Sequence, residues 1–324
     1  MGQPLLVPAL LMSGAALHAH LVASAPEASP GGVAQGLPAT AAAFARFGTA
    51  KASVSGEWMV VESTGLPEHP MMAGITSWQQ QIPLPQPYKG ANAWKIPLHP
   101  TKAAAPTPLR DRFLRGAVAL AANGIPIFNP QNNRGEISQD IGELDRWGGH
   151  CGRADDYHYH IIPLHLAERT GDALPVAFAL DGYPVYGLRE PDGKPMRPLD
   201  ACGGHDDPVH GYHYHGTGKT PYVFAAFRGK VTEAGGQVDP QPRAEPIRPA
   251  GEPLRGATLL ACEKVRLPEG EGWRLDYSHG GRKLSLRWVA RDAEVLVWFA
   301  DAKEPTVFRR GGGKGRGDRA RPPR

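Results

Sequence analysis

Hydrophobic and polar side chains alternate over short stretches of this chain, a pattern typical of β-strands separated by tight turns. The alternation is clearest from Ser55 to Ser63, and the turn residues Gly65-Leu66-Pro67 follow it. Residues 117–128 and 174–187 are short apolar stretches that each contain a Gly turn, so both are predicted to form buried strands. The seven prolines between Pro83 and Pro108 predict an extended segment with few ladder hydrogen bonds.

A second β-rich block is predicted near the C-terminus. Alternating positions there form four stretches: Thr258–Arg266, Trp273–Ser278, Lys283–Ala290 and Glu294–Phe299. The dipeptides Gly280-Gly281 and Arg291-Asp292 supply turns between the last three stretches. We therefore expect a small antiparallel β block.

Composition indicates a mainly β protein, or an α+β protein with few short helices. The chain has 324 residues, of which 40 are Gly and 33 are Pro, and this density of structure-breaking residues excludes long uninterrupted helices. Apolar residues (41%) and charged residues (21%) occur at ordinary globular levels, which excludes disorder throughout. No apolar stretch of about 18 residues occurs beyond the N-terminus, so no membrane span is expected.

The most informative feature is an internal repeat. The segment Leu120–Phe128 (LAANGIPIF) aligns with Phe178–Tyr186 (FALDGYPVY), so each copy has an apolar strand, an Asx-Gly turn, a proline and an aromatic residue. Further along, Asp145–His150 (DRWGGH) aligns with Asp200–His205 (DACGGH). We infer a duplicated strand-turn-loop-strand unit with long Pro/Gly-rich loops, arranged about an approximate two-fold axis.

Each copy ends in the tripeptide His-Tyr-His, preceded in both cases by a tyrosine, Tyr157 or Tyr212. Side chains at alternate positions of a strand point to the same face, so the two histidines of a tripeptide project together. The four histidines concerned are His158 and His160 in the first copy, and His213 and His215 in the second. Because imidazole is the commonest transition-metal ligand, each pair is a candidate for metal binding.

A third histidine of each copy, His150 or His205, follows a Gly-Gly pair whose backbone can turn it back toward the strand. Each copy then presents a His₃ set, which leaves a coordination position open, as in catalytic zinc sites. Asp145 and Asp200 are expected to accept the N–H from the far ring nitrogens of the histidines. Asp156 is a further oxygen donor nearby, and the tyrosines are expected to pack around the site.

The alternative to a metal site is a metal-free ladder in which the six imidazoles pair across strands. We favour metal because six crowded rings without an ion would leave many donors and acceptors to be paired in a low-dielectric place. Imidazole suits several transition metals, and copper or zinc is the expected cofactor. The three cysteines are too few for a disulfide framework, and a Cys151–Cys202 bridge, a thiolate ligand and an inert buried thiol all remain open.

The ends of the chain differ from its body. Leu5–Leu17 is a short apolar run followed by Ala23-Ser24-Ala25, which predicts a signal peptide and hence a periplasmic or secreted protein. Residues 309–324 carry seven basic residues and one Asp, so this tail accounts for the formal charge of +4 and leaves the rest of the chain at −2. Nucleic-acid binding by the folded body is therefore not expected.

These patterns predict the following organisation: a signal peptide (1–25), a spacer (26–45), a domain (46–236) with repeat copies at 117–165 and 174–222, a Pro-rich connector (237–256), a small β block (257–308) and a disordered basic tail (309–324).

A resemblance to a known family supports the domain. In order, the chain carries ESTGLPEHP from Glu62, NGIPIFNP from Asn123, DYHYH from Asp156, LDGYPVYG from Leu180, LDACGGH from Leu199 and GYHYH from Gly211. This series resembles the YHYH domain family of largely exported bacterial proteins, over about residues 55–232. The resemblance implies export and draws in His69 as a seventh ligand or site residue. Trp147 stands where the family pattern often has a cysteine, and the family name implies no activity.

Three functional hypotheses follow. The first is a metalloenzyme, either a copper-dependent oxidase or oxygenase or a zinc-type hydrolase, in which two facing His₃ sets hold metals close enough to share a substrate. The second is a non-catalytic periplasmic copper or zinc carrier. The third is a metal-free β-rich interaction module. The chain has no nucleophile-elbow, P-loop or dinucleotide motif in a suitable setting, which weakens the serine-hydrolase and nucleotide-binding classes.

Overall fold

The computed structural model describes residues 1–2 and 36–310. The predicted signal peptide from residue 3 onward, residues 26–35 of the predicted spacer and the predicted tail from residue 311 lie outside the described residues. The protein is mostly β, with 37% strand and 8% helix, which confirms the predicted fold class. Within the described ranges, no helix is both long and apolar enough to cross a membrane.

The described residues form twenty strands, which are β1 (Ala50–Ser55), β2 (Trp58–Ser63), β3 (Trp94–Pro97), β4 (Lys102–Pro108), β5 (Ala117–Ala121), β6 (Pro126–Phe128), β7 (Gly149–Cys151), β8 (Tyr157–Tyr159), β9 (Ala177–Ala179), β10 (Pro184–Tyr186), β11 (Gly204–His205), β12 (His213–His215), β13 (Ala226–Gly229), β14 (Thr232–Ala234), β15 (Gln237–Asp239), β16 (Thr258–Leu267), β17 (Gly270–His279), β18 (Arg282–Ala290), β19 (Glu294–Phe299) and β20 (Thr306–Arg309). The same residues include short 3₁₀ helices at Ala39–Arg46, Gly90–Asn92, Ser138–Ile141 and Leu164–Leu166, and a single α-helical turn, α1, at Ala167–Thr170.

The two repeat copies share one eight-stranded sheet with the order β11-β12-β10-β9-β5-β6-β8-β7. Its central pair, β5 and β9, is antiparallel, and Leu120 lies directly opposite Phe178. These two residues are equivalent in the repeat, so an approximate two-fold axis passes between them, as the sequence predicted. Both strands are fully buried because their side chains are apolar on both faces.

Each half of the sheet is built in the same way. A hairpin, β5–β6 or β9–β10, extends outward from the axis. The His-Tyr-His strand, β8 or β12, pairs in parallel with the second strand of that hairpin. The strand with the loop histidine, β7 or β11, pairs antiparallel with the His-Tyr-His strand and forms the outer edge of the sheet. The hairpin strands are short because the Asx-Gly turns end them. The two His-Tyr-His strands therefore lie on opposite sides of the axis.

The Asx-Gly turns are tied to the middle tyrosines of the two His-Tyr-His strands. Gly124 and Gly182 have φ angles of +78° and +98°, which glycine adopts without strain. In the first copy the side-chain amide of Asn123 donates to the hydroxyl of Tyr159 at 3.0 Å. In the second copy the hydroxyl of Tyr214 donates to Asp181 at 2.6 Å. Each turn thus fixes the register of the strand that carries two candidate ligands.

The carboxyl group of Asp181 makes the stability of the fold depend on pH. Burial raises the pKa of Asp181 to about 6 in the folded state, above the ordinary value near 4. A raised folded-state pKa gives stability that is present below the unfolded pKa and is lost as pH rises through about 6. Relative to Asp181→Asn, the wild type is expected to lose up to about 3 kcal/mol of unfolding free energy between pH 4 and 7.

Denaturant unfolding of both proteins across this pH range measures the difference, and any pH-independent effect of the substitution cancels from the slope. Asn is tolerated at the equivalent position of the first copy, where Asn123 occupies the turn. A difference in unfolding free energy that stays constant with pH would contradict the raised pKa of Asp181.

The other sheets pack around the eight-stranded sheet. The three-stranded sheet β1-β2-β3 contacts the first turn, where the Ser63 hydroxyl donates to the carbonyl of Gly124 at 2.7 Å. Two-stranded sheets form from β4 with β13 and from β14 with β15. The backbone N–H of Gly229 in β13 donates to Asp181 at 2.8 Å, so this small sheet contacts the second turn.

The C-terminal block is an antiparallel five-stranded sheet with the order β16-β17-β18-β19-β20. Its first four strands are those predicted from the alternating pattern. The fifth, β20, was not predicted because it is only four residues long and directly adjoins the basic tail. Buried side chains of this sheet, including Leu275 and Trp288, belong to the same hydrophobic cluster as the eight-stranded sheet.

Cys151, Cys202 and Cys262 are all buried and form no disulfide. Cys151 lies in β7 at one edge of the eight-stranded sheet, and Cys202 precedes β11 at the opposite edge, so the two are not bridged. Burial raises the pKa of each thiol. Of the three roles left open by the sequence, the inert buried thiol fits these positions best.

Two candidate metal centres

The six repeated histidines form two separate clusters. The N-terminal triad consists of His150, His158 and His160, and the C-terminal triad consists of His205, His213 and His215. In each cluster, one ring nitrogen from every histidine lies within 4.8 Å of the others. Each triad joins two histidines of a His-Tyr-His strand to the edge-strand histidine, as the alternation and the Gly-Gly turn predicted.

The N-terminal triad is compact and partly enclosed. The Nε2 atoms of His150 and His160 are 3.1 Å apart, and the three ring centroids are separated by 4.8–5.0 Å. His158 and His160 are buried, whereas His150 is partly exposed. The ring of Phe128, at the end of β6, stacks on His158 with a centroid distance of 4.0 Å. Solvent therefore reaches this triad on the side of His150.

The C-terminal triad has the same arrangement and a fourth group. The Nε2 atoms of His205 and His213 are 3.0 Å apart, and the ring centroids are separated by 4.6–5.1 Å. One carboxylate oxygen of Glu190, Oε2, lies 3.2 Å, 3.4 Å and 3.8 Å from the Nε2 atoms of His205, His213 and His215. Glu190 is itself buried, so this cluster is a His₃Glu set.

Backbone carbonyls fix the orientation of the rings. The Nδ1 atoms of five histidines face carbonyl oxygens at 2.5–3.3 Å; the pairs are His158 with Asp156, His160 with Asn129, His205 with Pro198, His213 with Gly211 and His215 with Gly187. The sixth, His150, is hydrogen-bonded to the backbone of Glu143, the position equivalent to Pro198. A carbonyl can only accept, so Nδ1 donates and Nε2 of a neutral ring carries a bare lone pair.

The protonation state agrees with this arrangement. Burial lowers the pKa of His160 to about 3 and that of His215 to about 4, so both rings are neutral at physiological pH. Burial would raise the pKa of Glu190, but the hydrogen bond from the backbone N–H of Arg197 helps to hold the pKa below its usual value, which keeps Glu190 ionised. Neutral imidazoles and a carboxylate are the forms in which these groups bind metals.

An unpaired polar atom tests whether the C-terminal triad fits an ion. The Nε2 atom of His215 is buried and has no hydrogen-bond partner. Its lone pair points into the same space as those of His205 and His213. Buried polar atoms normally have partners, and a cation among the three nitrogens would supply one. The donor set therefore fits a metal ion.

The two triads do not face each other, contrary to the expectation that two metals would share a substrate. They lie in opposite halves of the eight-stranded sheet, with β8 and β12 separated by four intervening strands. At about 4.8 Å per strand, the two clusters are roughly 24 Å apart. The reason is the topology: β5 and β9 pair at the axis, so each unit extends outward from it.

Asp145 and Asp200 bind the loops and tyrosines instead of the imidazoles. One oxygen of Asp145 accepts the backbone N–H groups of Trp147 and Gly149, and the other accepts the hydroxyl of Tyr157 at 2.8 Å. Asp200 makes equivalent contacts, including a bond from the hydroxyl of Tyr212. The expected role of fixing the imidazole tautomers belongs to the backbone carbonyls. Asp156 acts on His158 in that way, through its carbonyl.

His69 lies on the tyrosine face of β8, away from the N-terminal triad. Its Nε2 atom is 2.6 Å from the hydroxyl of Tyr159, and its ring packs against Trp147 and His165 with centroid distances of 4.9 Å and 5.2 Å. Burial lowers the pKa of His69 to about 4. The structure therefore places His69 in an aromatic cluster that supports the strand.

Glu190 was not predicted from the sequence. The clear similarity between the two copies ends at Phe128 and Tyr186, four residues before Glu190. Continuing the alignment at the same offset pairs Asn132 with Glu190 and Gly135 with Gly193. The sequence does carry one signal for Glu190: this position is acidic in the second copy only. It lies in the loop that follows β10, the strand next to the His-Tyr-His strand β12.

A cleft of about 550 Å³ lies near the N-terminal triad, although none of the three histidines is in its wall. Phe128 and Asp156, which both contact His158, form part of its wall, and Arg115, Asp239 and Arg243 line it as well. This volume is in the range of small-molecule sites. A ligand-sized space with two cationic and two anionic side chains thus lies one side-chain layer from this triad.

Comparisons with known proteins agree with the resemblance seen in the motifs. Neither the search of curated proteins nor the search of solved structures found a significant match. The family model described as "YHYH protein" matches residues 93–196, a range that includes the N-terminal triad and Glu190 and ends before the C-terminal triad. The chain therefore contains a YHYH domain.

Proposed function

We propose that this protein binds two transition-metal ions, one in each histidine triad, and that it is exported to the periplasm or secreted. Copper or zinc is the proposed metal, because imidazole nitrogens suit both. The observation that carries the proposal is the orientation of the rings: the Nδ1 atoms are bound to backbone groups, so the Nε2 lone pairs converge in both triads.

Without a cation, this arrangement is unfavourable. In each triad two Nε2 atoms lie as close as a hydrogen-bonded pair, at 3.1 Å in the N-terminal triad and 3.0 Å in the C-terminal one. Because these rings carry their proton on Nδ1, there is no proton between the two Nε2 atoms to form a hydrogen bond. An unsatisfied buried polar group costs about 1–3 kcal/mol. A metal-free cross-strand ladder would instead pair donors with acceptors among the rings. The converging lone pairs therefore favour metal over the ladder.

Export is supported by the sequence alone, through the apolar run and the small residues of the predicted cleavage site at Ala23-Ser24-Ala25. Expression of the full chain in a Gram-negative host, followed by fractionation and N-terminal sequencing, tests it. A mature N-terminus near residue 26 in the periplasmic fraction is expected. A cytoplasmic protein that retains Met1 would contradict the proposed export.

Metal content tests the central proposal directly. Protein prepared without a His tag and dialysed against Cu²⁺ or Zn²⁺ is expected to retain about two equivalents per chain, measured by elemental analysis, because there are two complete donor sets. The bound ions should also raise the midpoint of thermal unfolding, since they bind only the folded state. A metal-free chain whose unfolding temperature is unchanged by either ion would overturn the proposal.

A further inference from the structure

The two triads occupy equivalent positions but differ in one residue. Asn132 stands in the first copy where Glu190 stands in the second. The backbone of their loops confirms the equivalence: Asn132 donates to the carbonyl of Glu136 at 2.8 Å, and Glu190 donates to that of Lys194 at 3.0 Å. A neutral amide thus replaces a carboxylate at a position next to a histidine triad.

Glu190 is placed to be a fourth ligand. Its Oε1 atom accepts the backbone N–H of Arg197 at 2.7 Å, which fixes the side chain. Its Oε2 atom faces the three Nε2 atoms of the C-terminal triad at 3.2–3.8 Å. With three neutral nitrogens and one anionic oxygen, this cluster has the ligand count of a closed tetrahedral site.

The side chain of Asn132 is not available as a fourth ligand of the N-terminal triad. Its side-chain oxygen accepts the backbone N–H groups of Arg134 and Glu136, and its amide donates to Glu136 and Glu143. Glu143, the buried carboxylate in this loop, is bound to Arg134 and Ser138. Among the described residues, no carboxylate joins the metal-ligating group of the N-terminal triad.

We propose that the two centres have different roles: the C-terminal triad with Glu190 is a closed site that retains its ion, and the N-terminal triad keeps a coordination position open for a small anion from solution. This inference rests on the proposed function. A divalent ion held by three neutral imidazoles keeps its full positive charge, whereas Glu190 removes one unit in the other site, so an anion is attracted to the N-terminal centre.

The surroundings of the N-terminal triad carry charges of both signs. His150 and its counterpart His205 are both partly exposed, so the two centres differ in the number of ligands and not in exposure. The adjoining cleft is lined by Arg115 and Arg243 and also by Asp156 and Asp239, so its wall carries no net charge and the bound ion itself attracts the anion. Small carboxylates and inorganic anions are the ligand class that matches an open position on a divalent ion held by three neutral imidazoles.

Cobalt substitution tests the inference, with azide as the anionic probe. The full chain is loaded with Co²⁺, the stoichiometry is measured first, and azide is then titrated while the visible spectrum is recorded. Two bound equivalents are expected, of which one responds to azide. If Co²⁺ does not bind stoichiometrically before azide is added, the proposed metal function fails. If two equivalents bind and either both or neither respond to azide, only the division of roles is overturned.

Variants assign the responding centre. His160→Ala is expected to remove the azide response together with one Co²⁺, and His215→Ala is expected to retain the response. Glu190→Gln should extend the response to both equivalents, because it replaces the anionic ligand by a weaker neutral amide, which azide can displace, while preserving the shape of the side chain. Glu136→Gln, in the equivalent loop of the first copy, is the matched control and should behave as the wild type. An azide response that is lost in His215→Ala, or unchanged in Glu190→Gln, would overturn the assignment.

Discussion

Replacing His160 and His215 together with Ala is expected to abolish metal binding, whereas each single replacement removes about one of two bound ions. These histidines are buried, with exposed fractions of 4% and 0%, and each is held through Nδ1 by a backbone carbonyl. Loss of even an outer-shell partner costs about 10–100-fold in metal affinity. Loss of a direct ligand from a three-histidine set should cost more, because the remaining two imidazoles cannot surround the ion.

Isothermal titration with Zn²⁺ and elemental analysis after dialysis measure the effect. His279→Ala is the matched control, since His279 ends β17 in the C-terminal sheet and belongs to neither triad. It should keep both ions. Equal losses in His279→Ala and in the double variant would show that metal binds elsewhere. Loss of both ions in His160→Ala alone would show that the two centres are coupled across the sheet.

The parts of the candidate site that follow from local geometry could be predicted from the sequence. In His158-Tyr159-His160 the alternation of a strand places both imidazoles on one face and the tyrosine on the other, and β8 and β12 have this arrangement. The Gly-Gly pairs were expected to supply a left-handed turn before the loop histidine. Gly148 and Gly203 do so, with φ angles of +82° and +92°. Such features depend on a few consecutive residues.

The parts that depend on how distant segments pair could not be predicted. The repeat indicated two similar units and an axis, but the choice of β5 and β9 as the central pair decides whether the histidine strands meet or separate. Their separation follows because the apolar strands on both sides of the axis need burial on both faces. Asp145 likewise binds Tyr157 and Met72, and the second partner is distant in sequence.

The backbone carbonyls that orient the imidazole rings could not be predicted from the sequence either. Each backbone carbonyl is chemically the same as any other, so no residue type marks Asn129 or Gly187 as the partner of a histidine. Carboxylates were the visible candidates for this role. The fold supplies the carbonyls instead because β6 and β10 end beside the His-Tyr-His strands with which they pair.

The second glycine of each Gly-Gly pair is expected to be as important as a ligand. A Cβ atom at Gly149 would lie 2.5 Å from the Tyr157 hydroxyl and 2.8 Å from the carbonyl oxygen of His158, and at Gly204 it would lie still closer to the carbonyl oxygen of His213. The backbone of a histidine strand cannot move aside without breaking its pairing in the sheet. Gly149→Ala or Gly204→Ala should therefore lower the free energy of unfolding by about 2–3 kcal/mol.

Each of these substitutions should also remove metal from one centre only, because the clash displaces the edge strand that carries His150 or His205. Gly204→Ala is expected to lose the ion of the C-terminal triad and to keep the other, as measured by elemental analysis beside urea unfolding. Gly218→Ala is the matched control, since a Cβ atom there meets nothing within 4 Å. If Gly204→Ala were as stable as Gly218→Ala and retained two ions, the close packing of the edge strand against the histidine strand would not hold the centre together.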